Sequence, residues 1–161
     1  MNSTAQMDIL RRVDAAYRRH RGYAIGEKHD PHKSRNDDER LRWIDEQAPF
    51  MLLAHDGGAD PRFIYVNATA CQTFEYDKEE LLGMPSRLSA DVDARAERGA
   101  SIQTVHQKGI VDGYAGIRVT KNGRHFPIER GELWLFPDEQ GQPRCVAALV
   151  WAAPASSAMP A

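Results

Sequence analysis

Between Gly113 and Phe136 the chain reads GYAGIRVTKNGRHFPIERGELWLF, and the Lys121-Asn122-Gly123 step at its centre limits the fold more than any other stretch. An Asn-Gly pair accepts the positive-φ conformations of a tight reversal, and runs rich in β-forming residues lie on both sides of it. Two antiparallel strands are therefore expected. On the first, Ile117 and Val119 share one face and Arg118 and Thr120 the other, the alternation of a half-buried sheet. On the second, Phe126 and Ile128 share a face, but strict alternation carries Arg130 and Glu132 onto it, beside Trp134 and Phe136. A bulge near Gly131 would turn Leu133 and Leu135 inward instead, and this is the register we adopt. Without it, Arg130 and Glu132 become candidate ligand contacts.

The remaining composition suits a single globular unit. The chain has 161 residues, 42% of them hydrophobic, enough for one domain of ordinary size with extra elements. A formal net charge of -2 gives no global attraction to nucleic acid or to an anionic membrane. No apolar run reaches spanning length and charge appears within the first dozen residues, so neither a transmembrane helix nor a secretory signal is expected, and the cytoplasm is the expected compartment. Cys71 and Cys145 fall in different elements, with no C-x-x-C pair or His-rich spacing. Both are read as reduced and partly buried, without a disulfide or a metal site.

Taken in order, Gln6–His20 places Met7, Leu10, Val13 or Asp14, and Tyr17 on one stripe of an amphipathic helix capped by Ser3 or Thr4. Arg18, Arg19 and Arg21 sit at its C-terminal end, where the helix dipole favours cations. Gly26–Asp38 is almost free of apolar residues and reads as an exposed linker, whose His29 and His32 lack the third ligand a metal would need. A short helix over Asp38–Gln47 follows, ended by Pro49. Strands at Phe50–His55 and Phe63–Val66 come next. Asn67 is expected to cap a helix running to Phe74, and Asp77 with Glu80 has capping-box spacing ahead of Leu81, Leu82 and Gly83. A longer helix over Asp93–Gln107 turns Ile102 and Val105 inward. After the hairpin, a last strand covers Arg144–Trp151, and the tail APASSAMPA is expected to be disordered. The fold class is α+β, a five-stranded antiparallel sheet with helices gathered on one face and an N-terminal helical extension.

This order is similar to that of the PAS domain, and FIYVNATACQTFEY, DKEELLG and TKNGRHFPIE are PAS-like stretches. PFMLLAHD, MPSRLSA, GYAGIRVTKNGRHFPIERGELW and DEQGQPRCVAA resemble the MEKHLA domain, a PAS-related family. The resemblance runs from about Leu41 to Trp151 and divides the chain into a helix and polar linker (1–40), a PAS-like MEKHLA domain (41–152) and a tail (153–161). It implies a module that senses or binds a small molecule. In plants the MEKHLA domain ends homeodomain leucine-zipper regulators, but this chain has neither a homeodomain pattern nor sustained heptads, so DNA binding is not carried over. With no kinase or cyclase sequence, a signal would leave through contact with a partner protein or a second copy, and the amphipathic N-terminal helix is the candidate dimer contact.

The family's cofactor chemistry does not transfer. Blue-light PAS proteins place a flavin-attacking cysteine after the DKEELLG-like segment, where this chain has MPSRLSA; haem-binding ones place a histidine where it has Ala94–Gly99. No cofactor is thereby named, and His106 reads as a residue of the helix end. Ser86, Ser89, His55, His106 and His125 show no spacing that joins a nucleophile to a base, so no catalytic residues are assigned. The candidate ligand contacts are Cys71 and Phe74 on the short helix, and Arg87, able to pair with a ligand carboxylate or with Glu129 or Glu132. Tyr114, Arg118, Arg130, Glu132 and Trp134 on the hairpin complete them. The sequence thus reads as a non-enzymatic sensor or small-ligand module; the rival is a pure interaction domain whose interior is filled.

Overall fold

The structure, a computed structural model, describes residues 3–31 and 35–153. Helices α1 (Ser3–Arg21) and α2 (Asp37–Glu46) precede strands β1 (Met51–His55) and β2 (Phe63–Val66). Short helices α3 (Ala68–Phe74) and α4 (Lys78–Leu81), a 3-10 turn over Ser86–Ser89 and the long helix α5 (Val92–Lys108) lead into strands β3 (Ile110–Val119), β4 (His125–Phe136) and β5 (Cys145–Ala152). All strand pairs are antiparallel, in the order β2-β1-β5-β4-β3. The expected five-stranded α+β fold is the one observed. The expectations for His32 and for the tail beyond Ala153 lie outside the described residues.

Local chemistry fixes most element ends. Asn36 and Glu39 form a reciprocal capping box that starts α2 a residue before the expected Asp38, while Asp77 and Glu80 do the same for α4. Asp91 caps α5 and Gly109, at φ 85°, closes it. Asn67 does more than cap. Its Oδ1 accepts from Leu52 N–H (3.0 Å) and Ala70 N–H (3.1 Å), and its Nδ2 donates to the carbonyls of Ile44 and Phe50, both at 3.0 Å. One buried amide thereby ties α2, β1 and α3 together.

The bulge in β4 is present. Arg130 takes φ 52°, and the pairing of β4 with β5 slips between Glu129 and Glu132. Gly131 allows it: a Cβ there would stand 2.5 Å from the Tyr114 carbonyl oxygen and 2.8 Å from Tyr114 Cβ. Past the bulge, Leu133 joins Phe126 and Ile128 on one face, while Trp134 and Phe136 turn to the other.

Both faces are covered. Helices α3 and α5 lie over Leu53, Val66, Ile128 and Leu133, while α1 and α2 lie over Leu52, Tyr65, Trp134 and Leu149. The apolar stripe of α1, offered above as a dimer contact, is therefore buried within the chain, with Leu10 and Val13 fully inaccessible. Trp134 Nε1 donates to the Val13 carbonyl (3.1 Å), Gln6 Nε2 to the Ile64 carbonyl (2.7 Å), and the Tyr17 hydroxyl to Glu132 (3.0 Å). The polar segment after α1 is likewise not a free linker: Gly26 and Asp30 are buried, Asp30 pairs with Arg35 (2.9 Å), and the His29 ring lies 5.1 Å from that of Trp151. On β3 the alternation is as expected, and the face that carries Arg118 is the inner one. Ile117 is 44% exposed and Arg118 only 4%, because Arg118 is the residue opposite Phe126 on the α5 side of the sheet.

Replacing Asn67 by alanine leaves four buried backbone groups without this partner, and at about 1 kcal/mol or more for each such group urea unfolding should show a loss of about 3 kcal/mol or more. A loss under about 1 kcal/mol would mean that other partners take up those groups.

Candidate ligand cavity

A cavity of about 40 Å³ lies between the sheet and α5, room for roughly three waters. Leu53, Phe63, Ile102, Ile128 and Val146 supply apolar wall. The polar wall consists of His55 at the end of β1, Ser89 in the 3-10 turn, Arg98 on α5, and Tyr114 with Arg118 on β3. Among the described residues no aspartate or glutamate contributes to it.

The electrostatics of this wall are one-sided. Arg118 is buried, donating through Nη1 to its neighbour's carbonyl at Ile117 (2.8 Å) and through Nη2 in a short hydrogen bond to the Tyr114 hydroxyl; no carboxylate pairs with it among the described residues. Arg98 makes no hydrogen bond or ion pair among them. Burial lowers its pKa, and the nearby charge of Arg118 lowers it further. His55 Nδ1 accepts from Gly57 N–H (3.0 Å), which leaves the ring proton on Nε2. That Nε2 is buried without a partner among the described residues. Burial first, then the charge of Arg98, pushes the His55 pKa down to about 3. The imidazole is thus neutral and its free edge is a donor.

Of the candidates read from the sequence, Phe74, Tyr114 and Arg118 line this cavity. The other five lie elsewhere. Cys71, half-buried, faces a surface groove shared with Asp45 and Lys78. Arg87 is exposed and pairs with Asp60 (3.1 Å), not with Glu129 or Glu132. Arg130 stands exposed over the Trp151 ring and pairs with Glu129 (3.1 Å). Glu132 binds Tyr17 and Arg21 on the α1 side, where Trp134 is also buried. The bulge explains the last two, since it turns these side chains away from α5. Arg98 was missed. Its signal was available, for Arg98, Ile102 and Val105 recur at helical spacing, and a cation on an apolar stripe marks a buried charge. His55 and Ser89 had been weighed only as catalytic groups; the Ser89 hydroxyl donates to the Ser86 carbonyl (2.7 Å).

The model of the MEKHLA domain matches residues 8–152. The chain belongs to the MEKHLA domain family. The match takes in α1 as well as the sheet. The comparison with curated proteins finds no match. Among solved structures, this MEKHLA domain is similar to the PAS domain of a protein from Colwellia psychrerythraea, with 19% identity over 72% of this chain and 95% of that one and a TM-score of 0.60. It is also similar to the PAS domain of a two-component sensor histidine kinase, with 24% identity over 70% of this chain and 91% of that one and a TM-score of 0.56. A third is the light-oxygen-voltage (LOV) protein of Rhodobacter sphaeroides, with 15% identity over 75% and 69% and a TM-score of 0.60. These likenesses show the PAS/LOV fold. Among the described residues no helix is long and apolar enough to cross a membrane.

A flavin does not fit the residues present. The cavity of about 40 Å³ is roughly a tenth of a usual cofactor pocket, and the half-buried Cys71 lies outside it.

The neutral His55 makes stability depend on pH. Its folded pKa of about 3 lies below the unfolded value of about 6.5, so as pH falls from about 6.5 to 3 the unfolded chain takes up a proton that the folded chain refuses. Stability from this group is complete above that window and falls by up to about 1.4 kcal/mol per pH unit within it. Urea midpoints across pH 7 to 4 should show a flatter profile for His55→Asn, whose amide oxygen can still accept from Gly57; an unchanged slope would place the linkage elsewhere.

Proposed function

We propose that this MEKHLA domain is a non-enzymatic sensor that binds a small ligand between α5 and the sheet and signals through protein contacts. The observation that carries this reading is the cavity, onto which His55 Nε2–H and Arg98 open with no acceptor among the described residues and Arg118 with no carboxylate, whereas the buried Asn67 amide is fully engaged. Such a wall is the usual form of a preformed binding site.

Strand β4 is the proposed route outward. Leu133 faces the cavity, and its neighbours Glu132 and Trp134 hold α1 from the opposite face. A ligand that shifts Leu133 shifts the seat of α1, and a partner protein or second copy would read the altered surface. The small volume favours a second reading, a contact domain whose interior is already nearly full.

Thermal shift over a metabolite panel, combined with native mass spectrometry of the purified chain, separates the two. The sensor reading expects at least one compound to raise the melting temperature at a one-to-one ratio, and Ala148→Leu, which fills the cavity from β5, to abolish that rise while remaining folded. No shift with any compound and no bound mass in any preparation would leave the contact domain.

A further inference from the structure

Resting on the sensor reading above, we propose that the cavity's ligand is a small carboxylate, its head group held by Arg98, Arg118, the Tyr114 hydroxyl and His55 Nε2–H. The chain itself shows how it otherwise handles a buried guanidinium. Arg40, 6% exposed, is gripped by both oxygens of Asp14 (2.9 and 2.7 Å) and donates again to the Ile25 carbonyl (2.9 Å). Arg118 is as deeply buried and has no acid among the described residues, and Arg98, partly exposed, has no hydrogen bond or ion pair among them. An unpaired buried charge is strongly unfavourable, and two of one sign facing a common space are worse. Gly116, opposite the Arg118 guanidinium, has only hydrogen where a Cβ would stand 3.0 Å from Nη1, so the backbone leaves that side chain room.

The polar wall is donors seeking an acceptor. His55 Nδ1 is occupied, leaving Nε2–H. The Tyr114 oxygen accepts from Arg118, leaving its own proton to give. Planar forks and a converging O–H and N–H suit the two in-plane oxygens of a carboxylate. Apart from Ser89, whose hydroxyl proton is given to the Ser86 carbonyl, the rest of the wall, including Leu53, Ile102 and Val146, is apolar and offers no donor to the outward oxygens of a phosphate, whereas it suits a short hydrocarbon tail. With room for roughly three waters, the occupant has about three to five non-hydrogen atoms before any side-chain movement.

The test titrates dialysed full-length protein by calorimetry and thermal shift with sodium formate, acetate, propionate and butyrate, with acetamide and propionamide, and with inorganic phosphate, all at constant ionic strength. One of the carboxylates should bind one-to-one, and its amide at least about tenfold more weakly, since the amide lacks the charge that the guanidiniums recognise. Arg98→Met should weaken carboxylate binding by roughly ten- to a hundredfold. Because Arg98 makes no hydrogen bond or ion pair among the described residues and methionine keeps an apolar stem of similar length, the ligand-free R98M chain should melt no lower than the wild type, a result that a structural role for Arg98 would not give. R118M should weaken binding too, and R87M, which alters an exposed arginine outside the cavity, should not. Equal affinity for acid and amide, R98M binding like wild type, or phosphate binding where carboxylates do not, would each overturn the proposal. A neutral metabolite binding one-to-one while every carboxylate fails would overturn it and leave the sensor reading standing; no binding by any compound would remove both.

Discussion

One inserted residue in β4 sets the relation between the two halves of this molecule. In an unbroken strand, alternation would carry Glu132 and Trp134 onto the face that holds Phe126 and Ile128, bringing a carboxylate under α5. With Arg130 in a left-handed conformation and Gly131 against Tyr114, the parity reverses and Leu133 lines the cavity instead. The same reversal delivers Glu132 and Trp134 to α1. A bulge at this point therefore keeps an acid away from Arg118 and gives α1 its anchors. Both the unneutralised cavity and the covered outer face follow from it.

Features fixed by neighbours in sequence were legible in the sequence. The Asn-Gly reversal, the Asn67 cap, the Asp77–Glu80 capping box and the bulge at Gly131 each rest on backbone rules acting over a few residues. Features set by distant contacts were not. The apolar stripe of α1 announced that something covers it, but nothing in its spacing says whether the cover is the chain's own sheet or another molecule. For β3, alternation says which residues share a side but not which side is inward, and here Arg118 is inside and Ile117 outside. In the site, Phe74, Tyr114 and Arg118 could be named from the strand and helix that carry them, whereas Arg98 was not singled out although it shares a stripe with Ile102 and Val105.

Membership of the MEKHLA family and likeness to PAS and LOV structures account for the sheet order and for helices beneath it, and at identities of 24% and below they account for no more than that. What distinguishes this chain is the charge inside. Its cavity is small, walled by aliphatic side chains and lit from one end by donors. That arrangement raises the free energy of the empty state, and it does so at the position where an occupant would lower it again.

The Asp14–Arg40 pair also constrains how α1 can respond. Asp14 lies at the middle of α1 and Arg40 in α2, both nearly inaccessible, and Asp14 Oδ1 further accepts from Ile25 N–H (3.1 Å). Undocking the helix would break this ion pair and the Ile25 N–H bond together. The N-terminal helix is in this sense a beam pinned at its centre: its ends rest on the strands through Gln6 and Tyr17–Arg21, and the ion pair fixes the point about which any displacement of those ends would turn.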